Sequence, residues 1–243
     1  MKLFLKPILV LGISMAFFAC NSGSENKDDA SAMPADSSSA STATTTTPAP
    51  AAFTPFDVAE ITHTVKDYAK WRPAFNADSV NRKANGLEDI VVGRNMDDPN
   101  KILIALKVSD TAKAMAFAAD PKLKEAMDKA GVISKPVFEL FHVIRYNPDS
   151  KEKQWVTVTH KVKDFDTWLK VFDAEGTATR ATYGLIDVVL ARGIQDSNLV
   201  HIVFDVKDMA KAKARINDPA LKKSMTDGGV ISVPKIEFYN STE

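Results

Sequence analysis

The stretch HTVKDYAKWRPAF at residues 63–75 returns as HKVKDFDTWLKVF at residues 160–172, 160 − 63 = 97 positions later. That return constrains the fold more than any other feature of the chain. Residue i aligns with i+97 through the first segment, then with i+98 after a one-residue insertion placed near Tyr183. Gly86-Leu87 then meets Gly184-Leu185. DPKLKEAM (120–127) meets DPALKKSM (218–225), and GVISKP (131–136) meets GVISVP (229–234). Matched signatures in one order read as a tandem duplication, so whatever one half folds into, the other must fold into as well.

Each copy carries the same succession of patterns. A β-branched, alternating run (59–66, 155–163) is followed by a helix that Asp67 or Asp164 can cap. Pro73 falls inside the first copy's helix, which predicts a separate first turn with the regular helix starting at the proline. Two strands follow, 88–94 with 102–108 and 186–192 with 199–206, joined by the turn-forming NMDDPN and GIQDSN. A second helix starts near Asp110 or Asp208, and Asp-Pro at 120–121 or 218–219 opens another short one. Gly131 or Gly229 ends it, and a last strand runs 137–145 or 235–239. The order is βαββαβ twice, the split βαβ or ferredoxin-like unit. The expected fold class is therefore α+β: two antiparallel sheets, each with helices on one face, their bare faces pressed together into a barrel within one chain.

The N-terminus reads differently. Residues 1–19 have Lys2 and Lys6 ahead of an apolar run, the pattern of a secretory signal too short to span a bilayer comfortably. Cys20 is the only cysteine, and Phe17-Phe18-Ala19 before it resembles a bacterial lipobox, although Phe17 stands where Leu is usual. The resemblance implies lipidation at Cys20 and a membrane partner reached through that lipid. With Asn21 rather than Asp after the cysteine, it further implies the outer membrane of a bacterial envelope, on the periplasmic or surface face. Residues 20–52 are Ser, Thr, Ala and Pro with little to bury, and read as a disordered tether. The domains are then 53–147 and 154–243, linked by the polar NPDSKEK (147–153).

Within the repeats, His-x-Val-x-Asp-Phe/Tyr-x-x-Trp, the Gly-Leu before the second strand, Asp-Pro-x-Leu-Lys and the late Gly-Val resemble the dimeric α/β-barrel superfamily, which includes antibiotic-biosynthesis-monooxygenase-like domains. The likeness covers about residues 59–240. It implies a ligand cavity between sheet and helices in each half, and activities that range from cofactor-free oxygenases to haem enzymes. The cofactor stays unknown.

The residues leave the chemistry open. His63 and His160 share the phase of apolar strand positions, so each is either a packed core group or a pocket-lining base or haem ligand. Glu139 and Glu237 match in the last strand. If they share a cavity with the histidines they form acid/base pairs, with an imidazole near its reference pKa of roughly 6.5. Trp71 with Phe75, and Trp168 with Phe172, stand four apart on one helix face as core, pocket wall or both. Arg94 and Arg192 flank the hairpins, while His142 and His201 have no counterparts and default to the surface. Lys+Arg 31 against Asp+Glu 31 gives no basic face for nucleic acid. No His/Cys spacing suits zinc and no Gly-rich loop suits a nucleotide. The expectation is an envelope-anchored, internally paired monomer that binds a small, largely apolar molecule. A monooxygenase-like or cyclase-like enzyme using His63 and His160 is the alternative, and a solidly packed domain without a pocket the third.

Overall fold

The computed structural model describes residues 53–242. The expected signal segment, Cys20 and the expected tether lie outside the described residues. The first half runs β1 (Phe56–Thr64), α1 (Tyr68–Ala77), α2 (Ser79–Ala84), β2 (Leu87–Asn95), β3 (Lys101–Val108), α3 (Thr111–Ala118), α4 (Pro121–Lys129) and β4 (Val137–Tyr146). The second half repeats it: β5 (Gln154–Lys161), α5 (Phe165–Glu175), α6 (Thr177–Thr182), β6 (Leu185–Gly193), β7 (Leu199–Val206), α7 (Met209–Ile216), α8 (Pro219–Asp227) and β8 (Lys235–Ser241).

Closure follows from the one face that each sheet leaves bare. The strand order is β1-β3-β2-β8-β5-β7-β6-β4, a closed antiparallel barrel. Each half contributes four strands, and two seams join them. One seam pairs β4 with β6 from Phe141–Gly193 to Tyr146–Val189. The other pairs β2 with β8 only at Gly93–Ser241, Arg94–Asn240 and Asn95–Tyr239.

Period-two alternation sorts the side chains. On β1, Ala59, Ile61 and His63 face the helices, and Val58 and Glu60 face the barrel lumen. On β5, Val156, Val158 and His160 face the helices, with Trp155 and Thr157 inward. The two outer cores are built alike, from Trp71, Leu87, Ile102, Ile104 and Leu106 in one half and Trp168, Leu185, Val200, Ile202 and Phe204 in the other. The lumen is built unlike. A Cβ on Gly93 would overlap the Trp155 ring. At the other seam the matched residues are Ala191 and Val58, which pack together. A small residue faces a large one at the first seam, and two middling ones meet at the second.

The aspartates cap as their positions suggest. Asp67, Asp110, Asp120, Asp164, Asp208 and Asp218 each accept a backbone N–H in the first turn of the following helix. The proline expectation does not hold, because α1 runs unbroken through Pro73. One missing backbone bond and the ring clash cost roughly 3 kcal/mol. Burying Trp71 and Phe75 on either side, at about 25 cal/mol per Å2, offsets a sum of that order.

Helices α2 and α6 are additions to the expected pattern. They also relocate the insertion, which lies at the α5–α6 junction rather than near Tyr183. Asp78 matches Glu175, since both carboxylates approach the arginine of the next short helix. The extra residue is Gly176, whose φ of 78° is open to glycine and strained for most others. No helix among the described residues is long and apolar enough to cross a membrane.

Candidate functional site

Each half holds a cavity between its sheet and its helices, about 790 Å3 in the first and about 450 Å3 in the second. The reading of a solid domain without a pocket is therefore set aside. His63 and His160 lie in the floors of these cavities, 5% and 2% exposed, and neither ring nitrogen of either has a hydrogen-bond partner. An unpartnered buried polar group costs about 1–3 kcal/mol, so the arrangement is unfavourable unless something completes it. Burial alone lowers both imidazoles from 6.5 to about 4, which keeps them neutral at physiological pH.

The walls repeat in detail. Trp71 meets His63 edge to face at 5.5 Å between centroids, and Trp168 meets His160 the same way at 5.5 Å. Phe75 stacks on Trp71 at 5.0 Å and Phe172 on Trp168 at 5.1 Å, the i, i+4 spacing of one helix face. Beyond each phenyl ring comes an arginine the sequence reading did not single out. The Arg82 guanidinium lies 3.7 Å from the Phe75 centroid and that of Arg180 lies 3.9 Å from Phe172. Both are 4% exposed.

Each arginine grips one aspartate with two parallel bonds. Nε and Nη2 of Arg82 donate to Asp89 at 2.8 and 2.7 Å, and those of Arg180 to Asp187 at 2.8 and 2.6 Å. Their Nη1 groups donate to the carbonyls of Phe75 and Phe172. Each fork holds the end of its first helix to the second strand of the repeat. The strand bulges just after each aspartate, between Asp89 and Val91 and between Asp187 and Val189, which turns the carboxylate toward the helices while the next residues turn into the lumen. Asp187 and Glu175 hold the Arg180 guanidinium above its usual range against the opposing effect of burial. The signal was present in the sequence, since 180 − 82 and 187 − 89 are both 98, the offset of the repeat.

The expected pairing of these histidines with Glu139 and Glu237 does not form. Glu139 registers against Glu60 and Glu237 against Thr157, both lumen-facing positions, so the sheet separates the carboxylates from the imidazoles. Burial opposes ionisation of Glu237, but Lys101 and Lys235 hold its carboxyl below the usual range. His201 is likewise not a surface residue. It is 4% exposed inside the barrel, with Nε2 3.1 Å from Glu60 Oε2. His142 is half-exposed and bonds Asp57 at 2.7 Å. Arg94 and Arg192 brace their hairpins by donating to the carbonyls of Pro99 and Ser197, and lie over Tyr68 and Phe165.

One asymmetry divides the two cavities. Phe117 lines the first, and its counterpart Arg215 lines the second, bonded to Glu175 at 2.7 Å. The first cavity is larger and apolar at that end, while the second is smaller and carries an ion pair.

Two βαββαβ units closed into one eight-stranded sheet define a ferredoxin-like α/β barrel, the architecture of the dimeric α/β-barrel proteins. A putative monooxygenase from Fusobacterium nucleatum superposes with a TM-score of 0.53 at 13% identity, covering 78% of this chain and 93% of that one. A putative chlorite dismutase superposes at 0.52 and 12% identity, covering 78% and 96%. A putative monooxygenase from Lactobacillus acidophilus gives 0.51 at 13% identity, covering 76% and 94%. At identities this low the superpositions show the fold alone. No family model and no curated protein matches the chain.

Proposed function

We propose that each half binds a small, largely apolar molecule in the cavity between sheet and helices, with His63 or His160 hydrogen-bonding its one polar group. The observation that carries the reading is the pair of equivalent cavities, each floored by a buried imidazole whose two nitrogens have no partner. A neutral imidazole offers one donor and one acceptor, which suits a carbonyl or hydroxyl on an apolar body. The stacked tryptophan and phenylalanine supply the apolar wall. Binding in place of catalysis is favoured because an imidazole with a pKa of about 4 is a weak base near neutral pH.

A second reading rests on the same nitrogens. A neutral imidazole with a free lone pair can ligate haem iron, and His63 or His160 would hold it. The setting we propose is the bacterial envelope, with the barrel tethered as a monomer to the outer membrane through lipid on Cys20.

Native mass spectrometry and an absorption spectrum on the full chain, purified from envelope, test both readings. A retained small molecule that disappears in the His63→Phe, His160→Phe double variant supports the binding reading, and a Soret band the haem reading. An adduct that persists in the double variant counts against the cavities as its site. Incorporation of labelled palmitate that is lost in Cys20→Ser tests the anchor.

A further inference from the structure

The lumen holds a third cavity, about 360 Å3, enclosed by both halves and rimmed by the connector at 147–153. That volume is near the lower end for small-molecule sites. Its polar groups come from positions where the two halves part company. Glu60 matches Thr157 and His201 matches Leu103, so the pair they make exists once in the molecule and crosses from one repeat to the other.

The chain of bonds has a direction. A carboxylate only accepts, so His201 Nε2–H donates to Glu60 Oε2 at 3.1 Å, and Thr159 Oγ donates its proton to Nδ1 at 2.8 Å. Phe141 stacks on the imidazole at 4.5 Å and fixes its plane. Glu60 is 6% exposed, and among the described residues no lysine or arginine forms an ion pair with it. Asp205 adds a second carboxyl nearer the rim, held by Ser150 Oγ and the Glu152 N–H.

A buried carboxylate–histidine pair is a poor way to gain stability, because desolvating the charges cancels most of their attraction. Leu103 and Thr157 show that the same strand positions pack without one. The inner wall is apolar and aromatic, with Phe141, Trp155 and Val203 prominent, while the connector adds polar groups to the lining, Lys151 and Lys153 among them. Acidic groups at the end of an aromatic-walled space suit an organic cation, which the carboxylate pairs and the rings attract by their faces.

From this geometry we infer that the lumen is a separate binding site for a small organic amine, its ammonium against Glu60 and its apolar body among Phe141, Trp155 and Val203. The site is independent of the two outer cavities. It takes one ligand per chain, where those take one per repeat.

The test titrates the full chain with benzylamine, benzyl alcohol and benzoate while following the histidine ring resonances by NMR. Benzylamine is expected to shift His201 and to bind about tenfold or more tighter than benzyl alcohol, the effect of a hydrogen bond to a charged group. Benzoate should not bind there. Glu60→Gln should erase the preference for the amine. If that variant fails to fold, the amine-to-alcohol ratio in the wild-type chain decides alone. The His63→Phe, His160→Phe double variant should keep the full benzylamine response, which separates this site from the outer cavities. An unmoved His201, equal binding of alcohol and amine, or loss of the response in the double variant would each overturn the inference.

Discussion

The two floor histidines make stability depend on pH in a direction that can be worked out. Unfolded, their imidazoles take up protons below about 6.5. Folded, they refuse them until about 4. Acidification through that window therefore removes stability, on the order of 3 kcal/mol for each histidine. Asp205 works the other way. Burial raises its carboxyl to about 6 against 3.8 unfolded, so stability from it grows as pH falls through the same range. Two imidazoles outweigh one carboxyl, and urea midpoints should fall from pH 7 to pH 4.5. In the His63→Phe, His160→Phe variant that fall should vanish or reverse. Arg82 and Arg180 give a second residue-scale prediction. Lysine keeps the charge but loses the two-pronged grip and the flat stack on phenylalanine, so Arg180→Lys should cost about 2 kcal/mol by urea denaturation. The aromatic pairs on α1 and α5 were legible because helical spacing announces a shared face. The arginines carried only the repeat offset as a signal, and their burial was hidden because a charged residue in a short polar segment reads as solvent-facing until the bulged strand brings an aspartate beneath it.

At the scale of elements, the strands and the longer helices could be read from alternation, capping aspartates and Asp-Pro pairs. Helices α2 and α6 escaped because SVNRKA and TATRAT have too few apolar positions to show any period; the fork from each arginine to the following strand holds them in place. The sharp entry into the second strand of each half rests on a glycine at positive φ, 74° at Gly86 and 73° at Gly184. A Cβ on Gly86 would meet chiefly the Ser109 hydroxyl, which can rotate away. A Cβ on Gly184 would press on the Asp208 backbone nitrogen and oxygen at 2.8 and 2.9 Å, which cannot. Both alanine variants carry the left-handed strain of about 1–2 kcal/mol. Gly184→Ala should lose more than Gly86→Ala by thermal denaturation, because it also displaces the cap of α7.

The whole molecule is closed by two unequal seams. The β2–β8 ladder is shorter than β4–β6. Hydrogen exchange should therefore reach the amides of 239–241 before those of β1 and β3, which pair along nearly their whole lengths. Uniform exchange around the barrel would contradict that order. Closure itself was foreseeable, since a ferredoxin-like sheet leaves one face bare and the chain carries two. What the lumen contains was not foreseeable from the repeat, because matching residues reveal what the halves share and the lumen is where they differ. The unequal seams bear on engineering. A pair of identical first halves would set Gly93 against Val58 at both junctions and leave each one hollow. A pair of second halves would drive Ala191 into Trp155 twice. Neither half can stand in for its sibling at these positions, so a chimera carrying two copies of one half would need both junctions recut together, as two mating parts are machined to each other.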